Sequence, residues 1–169
     1  MRADWSRPLA VERESERNSR FDFELKPASL ARIAPELAAD EGWVRGHAEF
    51  GRDYGLSLVS IELQAELPLV CQRCLRTVRW PVSASSQLAV IGSDREERKV
   101  PGGLDSLLAP GMQVSISELV EEELLLALPI VARHENEDCH AGPPQDGPAQ
   151  AVRMRRPFAE LGELLKRDG

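Results

Sequence analysis

The segment Val59-Ser60-Ile61-Glu62-Leu63-Gln64-Ala65-Glu66-Leu67 is the clearest statement of architecture in the chain. Its odd positions are apolar and its even positions polar, the period of a strand with one buried and one wetted face. The same period continues on both sides. Val44, Ala48 and Phe50 share a parity before it, and Val78, Trp80, Val82, Ala84, Leu88 and Val90 share one after it. Gly51 and Gly55 flank a turn between the first and second runs, and residues 71–74 separate the second from the third. Three half-buried strands with short connections predict an antiparallel sheet over residues 43–91.

On the N-terminal side, Phe21, Phe23 and Leu25 share a parity and predict a further strand within 7–25. Residues 28–39 are helix-prone, and Pro35 splits them into two short helices. Residues 92–113, rich in Gly, Pro, Asp and Ser with charges clustered from Asp94 to Lys99, read as a loop. Ser115 and Glu118 then form a capping box, with Val114 and Leu119 as a hydrophobic staple. The helix they start is expected from about Ile116 to Leu128, stopped by Pro129. Residues 141–152 have linker composition. A short helix from Pro157 to Lys166 places Phe158, Leu161, Leu164 and Leu165 on one face. The expected class is α+β: an antiparallel β-sheet or partly closed barrel with a few flanking helices. The expected organisation is one domain over 1–140, a linker over 141–152, and a basic segment with a short helix over 153–169.

The 169 residues are 42% hydrophobic and 29% charged, a soluble globular composition. The longest apolar run, Leu124 to Ala132, is interrupted by Pro129 and falls short of the about 20 residues a membrane helix needs. The opening Met1-Arg2-Ala3-Asp4-Trp5 lacks the apolar region of a signal peptide, so a cytoplasmic protein is expected. The net charge of -7 argues against a general polyanion binder. Two basic islands nevertheless interrupt the acid: Arg73, Arg76 and Arg79, and Arg153, Arg155 and Arg156. These six arginines are the RNA-binding candidates, against the plainer reading of solvated surface charge.

Cys71-Gln72-Arg73-Cys74 is the sharpest local signal. Two thiolates three positions apart can grip one zinc ion from a tight turn. Cys139 with His134, or with His140 as the alternative, would complete a Cys3His set. Zinc and a plain β-turn carrying two free thiols fit the spacing equally well. A thioredoxin-type redox pair fits less well, because the following residues read as strand rather than helix. The odd cysteine count argues against a disulfide framework. On the 116–128 helix, Glu123 falls inside the apolar stripe of Ile116, Leu119, Val120, Leu124 and Ala127. A carboxylate there needs a partner, and Arg73 or Arg76 is the expected one. Glu118, Glu121 and Glu122 are expected on the solvent side, with Leu125 an apolar residue among them that the C-terminal tail or a partner would cover. His47 reads as surface and Trp80 as core. Nothing in the spacing of acids, bases and nucleophiles suggests catalysis, and no phosphate-binding loop or dinucleotide fingerprint is present.

Three segments together resemble a known family. They are Cys71-Gln72-Arg73-Cys74-Leu75, then Glu118 through Val131 leading to His134 and Cys139, and finally Pro157-Phe158-Ala159-Glu160-Leu161. They look like the YceD family, the bacterial large ribosomal RNA subunit accumulation proteins. The resemblance covers most of the chain from about residue 40 onward, with matching positions at Cys71, Cys74, Glu123, His134 and Cys139. It implies a cytoplasmic, non-enzymatic protein needed for synthesis, processing or stability of large-subunit (23S) ribosomal RNA. Its implied partners are a large-subunit rRNA precursor, a basic ribosomal protein such as ribosomal protein L32, or both, with no membrane and no small-molecule substrate. The competing reading is a zinc-stabilised protein–protein adaptor unrelated to ribosomes.

Overall fold

The period-two runs become the three longest strands of a five-stranded sheet in a computed structural model that describes residues 4–135 and Cys139. In chain order the elements are β1 (Leu9–Ala10), α1 (Val11–Glu16), β2 (Arg20–Leu25), β3 (Trp43–Asp53), β4 (Leu56–Val70), β5 (Thr77–Ile91), β6 (Asp105–Leu108), β7 (Gln113–Val114) and α2 (Ile116–Ala127). The large sheet runs β2-β3-β4-β5-β6, antiparallel throughout except for the parallel β5–β6 pair. β1 and β7 form a separate antiparallel pair. The fold is α+β with an open sheet, since β2 and β6 are edges. Among the described residues, no helix is long and apolar enough to cross a membrane.

Register places the apolar parities of neighbouring strands on one face. Val59 stands between Phe50 and Leu88, and Ile61 between Ala48 and Ser86. α1 packs over β3 and β4, and α2 over β5 and β4. Val44, Ala48, Val59, Ile61, Leu67, Leu119, Val120 and Leu124 form the dry layer between them. Truncating a fully buried leucine such as Leu124 to alanine costs about 2–5 kcal/mol in such a layer. The opposite parity of β4, with Ser60, Glu62 and Gln64, meets solvent. Two glycines are needed. Tyr54 and Gly55 turn the β3–β4 hairpin with φ of 53° and 74°, the left-handed pair of a two-residue loop. At Gly46 a Cβ would fall 2.1 Å from the Glu62 carbonyl oxygen, so only hydrogen fits where β3 crosses Glu62.

Three expectations need correction. Residues 28–39 form two 3-10 turns, Pro27–Ser29 and Ala34–Glu36, and no α-helix. Each turn has a proline at its start, and buried Leu30 and Ile33 pin the segment between them to the core. Residues 92–113 are not a plain loop, because they contain a 3-10 segment at Asp94–Lys99, β6, a turn at Pro110–Met112, and β7. β6 has only four residues and pairs in parallel across a crossover, which leaves no local alternation to read. α1 was not expected: six residues are too few for a helical period to stand out. The linker 141–152 and the helix 157–166 lie outside the described residues.

α2 sets the direction of the chain beyond it. Ser115 Oγ accepts from the Glu118 amide at 3.1 Å, and Glu118 Oε2 accepts from the Ser115 amide at 2.7 Å. The helix stops at Ala127, with Leu128 extended at ψ 136° as a residue before proline prefers. It lies along β5 and points back toward the start of that strand. The residues after it therefore arrive at the β4–β5 connection, where Cys71 and Cys74 sit.

Candidate metal centre

The β4–β5 connection is a tight turn built by its own backbone. The Leu75 amide donates to the Cys71 carbonyl, and the Cys71 amide to the Arg76 carbonyl, both at 2.9 Å. Leu75 takes a φ of 59°, left-handed for a residue with a Cβ. The stretch of chain after α2 is fastened beside this knuckle. Gln72 N–H donates to the Ala132 carbonyl at 2.8 Å, and His134 Nε2 lies 3.1 Å from the Thr77 carbonyl.

These contacts bring four ligand side chains together. The ligand atoms of Cys71, Cys74, His134 and Cys139 all lie within 4.8 Å of one another. Cys71 Sγ stands 3.5 Å from Cys139 Sγ, and Cys74 Sγ stands 3.5 Å from His134 Nδ1. All three cysteines are free thiols, with Cys71 and Cys139 buried. Around a tetrahedral zinc with Zn–S near 2.3 Å and Zn–N near 2.1 Å, ligand atoms stand about 3.6–3.8 Å apart. The donor set and spacing fit that ion with little movement. His134 Nε2–H donates to the Thr77 carbonyl, so Nδ1, which faces the thiols, is the ring nitrogen that would ligate an ion, as an outer hydrogen bond arranges for a ligating histidine. Four protein ligands leave no open position, so an ion held here would supply a cross-link between the knuckle and the chain after α2 rather than a bound water.

The electrostatics fit as well. Burial pushes the Cys71 thiol up, but the backbone amides of Cys74, Arg73 and His134, with the Cys139 thiol, overcome it and hold Cys71 at about 5. The Arg76 amide lowers Cys74, against burial. Burial raises Cys139, as do the two thiols beside it. The Cys71 thiol raises His134, against burial. A thiolate at Cys71 is thus available at neutral pH, which metal ligation requires. Of the expected ligands, His140 lies outside the described residues.

Glu123 is buried on α2, but its partner differs from the expected one. The Ser86 hydroxyl on β5 donates to Glu123 Oε1 at 2.5 Å, while the Arg73 guanidinium donates to the Cys139 carbonyl at 3.1 Å. Glu123 and Ser86 are both polar interruptions of apolar stripes, and they meet because α2 lies over β5. Glu121 is also buried, not solvent-facing: its Oε1 accepts from the Arg32 amide at 3.0 Å, and the Arg32 guanidinium pairs with Glu122. The three consecutive glutamates fasten α2 to its neighbours. Leu125 packs against the core, and Leu126 is the exposed leucine, at 81%. Trp80 is partly buried against the core, and His47 is half-buried with Nε2 3.9 Å from Glu62.

The basic candidates separate. Arg79 is neutralised by Glu66 at 2.7 Å and Glu41 at 3.5 Å. Arg73 and Arg76 make no ion pair among the described residues. Arg133, which sequence reading did not single out, joins them, because it lies between Ala132 and His134, both bonded to the knuckle. Its position next to a candidate ligand was the available signal. Arg153, Arg155 and Arg156 lie outside the described residues. A surface concavity of about 540 Å³ lies at the opposite end of the sheet, and three of the four charged residues lining it, Arg20, Glu49 and Arg52, are engaged in ion pairs. The chemistry therefore concentrates at the knuckle.

A family model described as large ribosomal RNA subunit accumulation protein YceD matches residues 59–165 of the chain. No solved structure matches the chain.

Proposed function

We propose that this chain, which belongs to the YceD family of large ribosomal RNA subunit accumulation proteins, is a non-catalytic ribosome biogenesis factor of the cytoplasm. It supports synthesis, processing or stability of large-subunit ribosomal RNA by contacting that RNA through the knuckle. A zinc ion held by Cys71, Cys74, His134 and Cys139 fixes the knuckle. The observation that carries this reading is the position of Arg73 and Arg76 within the knuckle, and of Arg133 next to His134, in an otherwise acidic chain. Arginine suits phosphate because its planar fork donates in pairs and keeps its charge. Arg79, already paired, contributes little. Arg153, Arg155 and Arg156, outside the described residues, are the further candidates for RNA contact.

A second reading has its own support. Residues 21–70 carry nine acids against four bases, which favours a strongly basic partner such as ribosomal protein L32. Two measurements decide. Depleting the protein from the organism that makes it should lower mature large-subunit rRNA relative to small-subunit rRNA; an unchanged ratio returns the protein to the class of zinc-stabilised adaptors. Binding of the purified protein to large-subunit rRNA fragments should weaken with salt, and replacing Arg76 or Arg133 by alanine should reduce the log–log salt slope by about one each. A lowered rRNA ratio without salt-dependent RNA binding favours the ribosomal-protein partner.

A further inference from the structure

Beside the knuckle lies an open groove of about 300 Å³. It is lined by Pro35 and Leu37, by Leu69 and Val70 at the end of β4, and by Pro129 and Ile130 after α2. Ile130 is wholly exposed, and Val70 is exposed at 38%. Single exposed apolar residues need no explanation, but these line one depression. Glu36 is the one charged residue among those lining it.

We propose that the C-terminal segment of this same chain, residues 157–166, docks in this groove through Phe158, Leu161, Leu164 and Leu165. Where the described chain ends is the first reason. Gln72 lines the groove and bonds to Ala132, and Cys139 Sγ lies 3.5 Å from Cys71 Sγ, so the chain departs from the groove's own edge. Reach is the second. A linker as long as residues 140–156, whose composition is rich in Gly, Pro and Gln, would reach about 20–25 Å and hold the stripe at a local concentration on the order of millimolar. Complementarity is the third. At helical spacing the four apolar side chains share one face while Glu160, Glu163 and Lys166 lie off it. Arg153, Arg155 and Arg156 precede the stripe and match Glu36 at the groove rim.

Docking would bring the second basic island to the end of the sheet that carries Arg73, Arg76 and Arg133, joining two clusters far apart in sequence. That consequence rests on the RNA-facing reading of the knuckle; the docking does not.

Hydrogen–deuterium exchange of the full chain tests it, in the wild type, Ile130→Glu and Phe158→Glu. Amides of 157–166 should exchange about tenfold or more slower than unstructured chain in the wild type and return to that rate in both variants. Phe158→Glu should also speed exchange in 128–132, with the amides of α2 still protected as the sign of an intact fold. Unprotected exchange of 157–166 in the wild type, or protection that survives Phe158→Glu, overturns the docking. Protection that disappears on dilution, with a dimer seen by sedimentation, overturns it in favour of a second copy. RNA affinity is read separately: equal affinity of the wild type and Phe158→Glu overturns the joined basic surface alone, and no RNA binding by either falls on the functional reading alone.

Discussion

A zinc ion held by Cys71, Cys74, His134 and Cys139 should supply a large part of this fold's stability, by an amount set by where those four residues lie in the chain. Cys74 and His134 are 60 positions apart. A cross-link closing a loop of about 60 residues removes unfolded-chain entropy worth about 4 kcal/mol at 25 °C. Unfolding entropy near 2.1 cal/mol/K per residue, over the roughly 130 described residues, converts that to a fall of about 10–15 °C in Tm. The assay is thermal unfolding of protein purified without added metal, before and after a strong chelator, with elemental analysis of the same sample. About one zinc per chain is expected at the start, and the lowered Tm should recover on adding zinc. Cys139→Ser should show the lowered Tm from the outset, with no further fall on chelation. Metal retention should also decline as pH falls, because protons compete for the thiolates and for His134, and proton binding at Cys139 and His134 is already raised in the metal-free site. Well under one zinc per chain, or a Tm that chelation leaves within about 2 °C, would rule out a structural zinc cross-link.

Glu123→Ala should cost about 1–3 kcal/mol by removing a charge-assisted bond between α2 and β5. In a double-mutant cycle with Ser86→Ala the two losses should couple by about 0.5 kcal/mol or more, and strictly additive denaturant midpoints would show that the pair does not interact. Gly46→Ala should destabilise by about 2–4 kcal/mol, since its Cβ would meet the Glu62 carbonyl at 2.1 Å; an unchanged Tm would mean that β3 and β4 can separate there at little cost. Leu75→Gly relieves a left-handed conformation costing about 1–2 kcal/mol and adds about 0.5–1 kcal/mol of chain entropy, while the lost side chain is 75% exposed. A net gain of about 0.5–1 kcal/mol is expected in urea unfolding, and a loss would show that the Leu75 side chain is held by contacts.

The long strands and the main helix are legible in the amino-acid order alone. β3, β4 and β5 announce themselves because each is 11 or 15 residues long and keeps one apolar parity. α2 announces itself because a capping box and a proline mark its ends within the chain. These are local effects, and local effects are written in order along the sequence. The cysteine pair and its two more distant partners were also legible as residue types suited to one ion, though nothing in the spacing separated zinc from free thiols.

Folding in three dimensions settled whatever depends on which distant segments touch. α2 ends at Ala127 pointing toward Cys71 and Cys74, and that direction brings His134 and Cys139 to the knuckle. The register of β4 against β5 puts Ser86 on the inner face, so Glu123 finds a hydroxyl there rather than an arginine. Arg73 turns to the Cys139 carbonyl, Glu66 and Glu41 quench Arg79, and Arg133 enters the basic group. β6 finds β5 in parallel across a crossover. A side chain's partner is set by the packing of one element over another, and residues tens of positions apart carry no local mark of which of several suitable partners the fold will bring within about 3 or 4 Å.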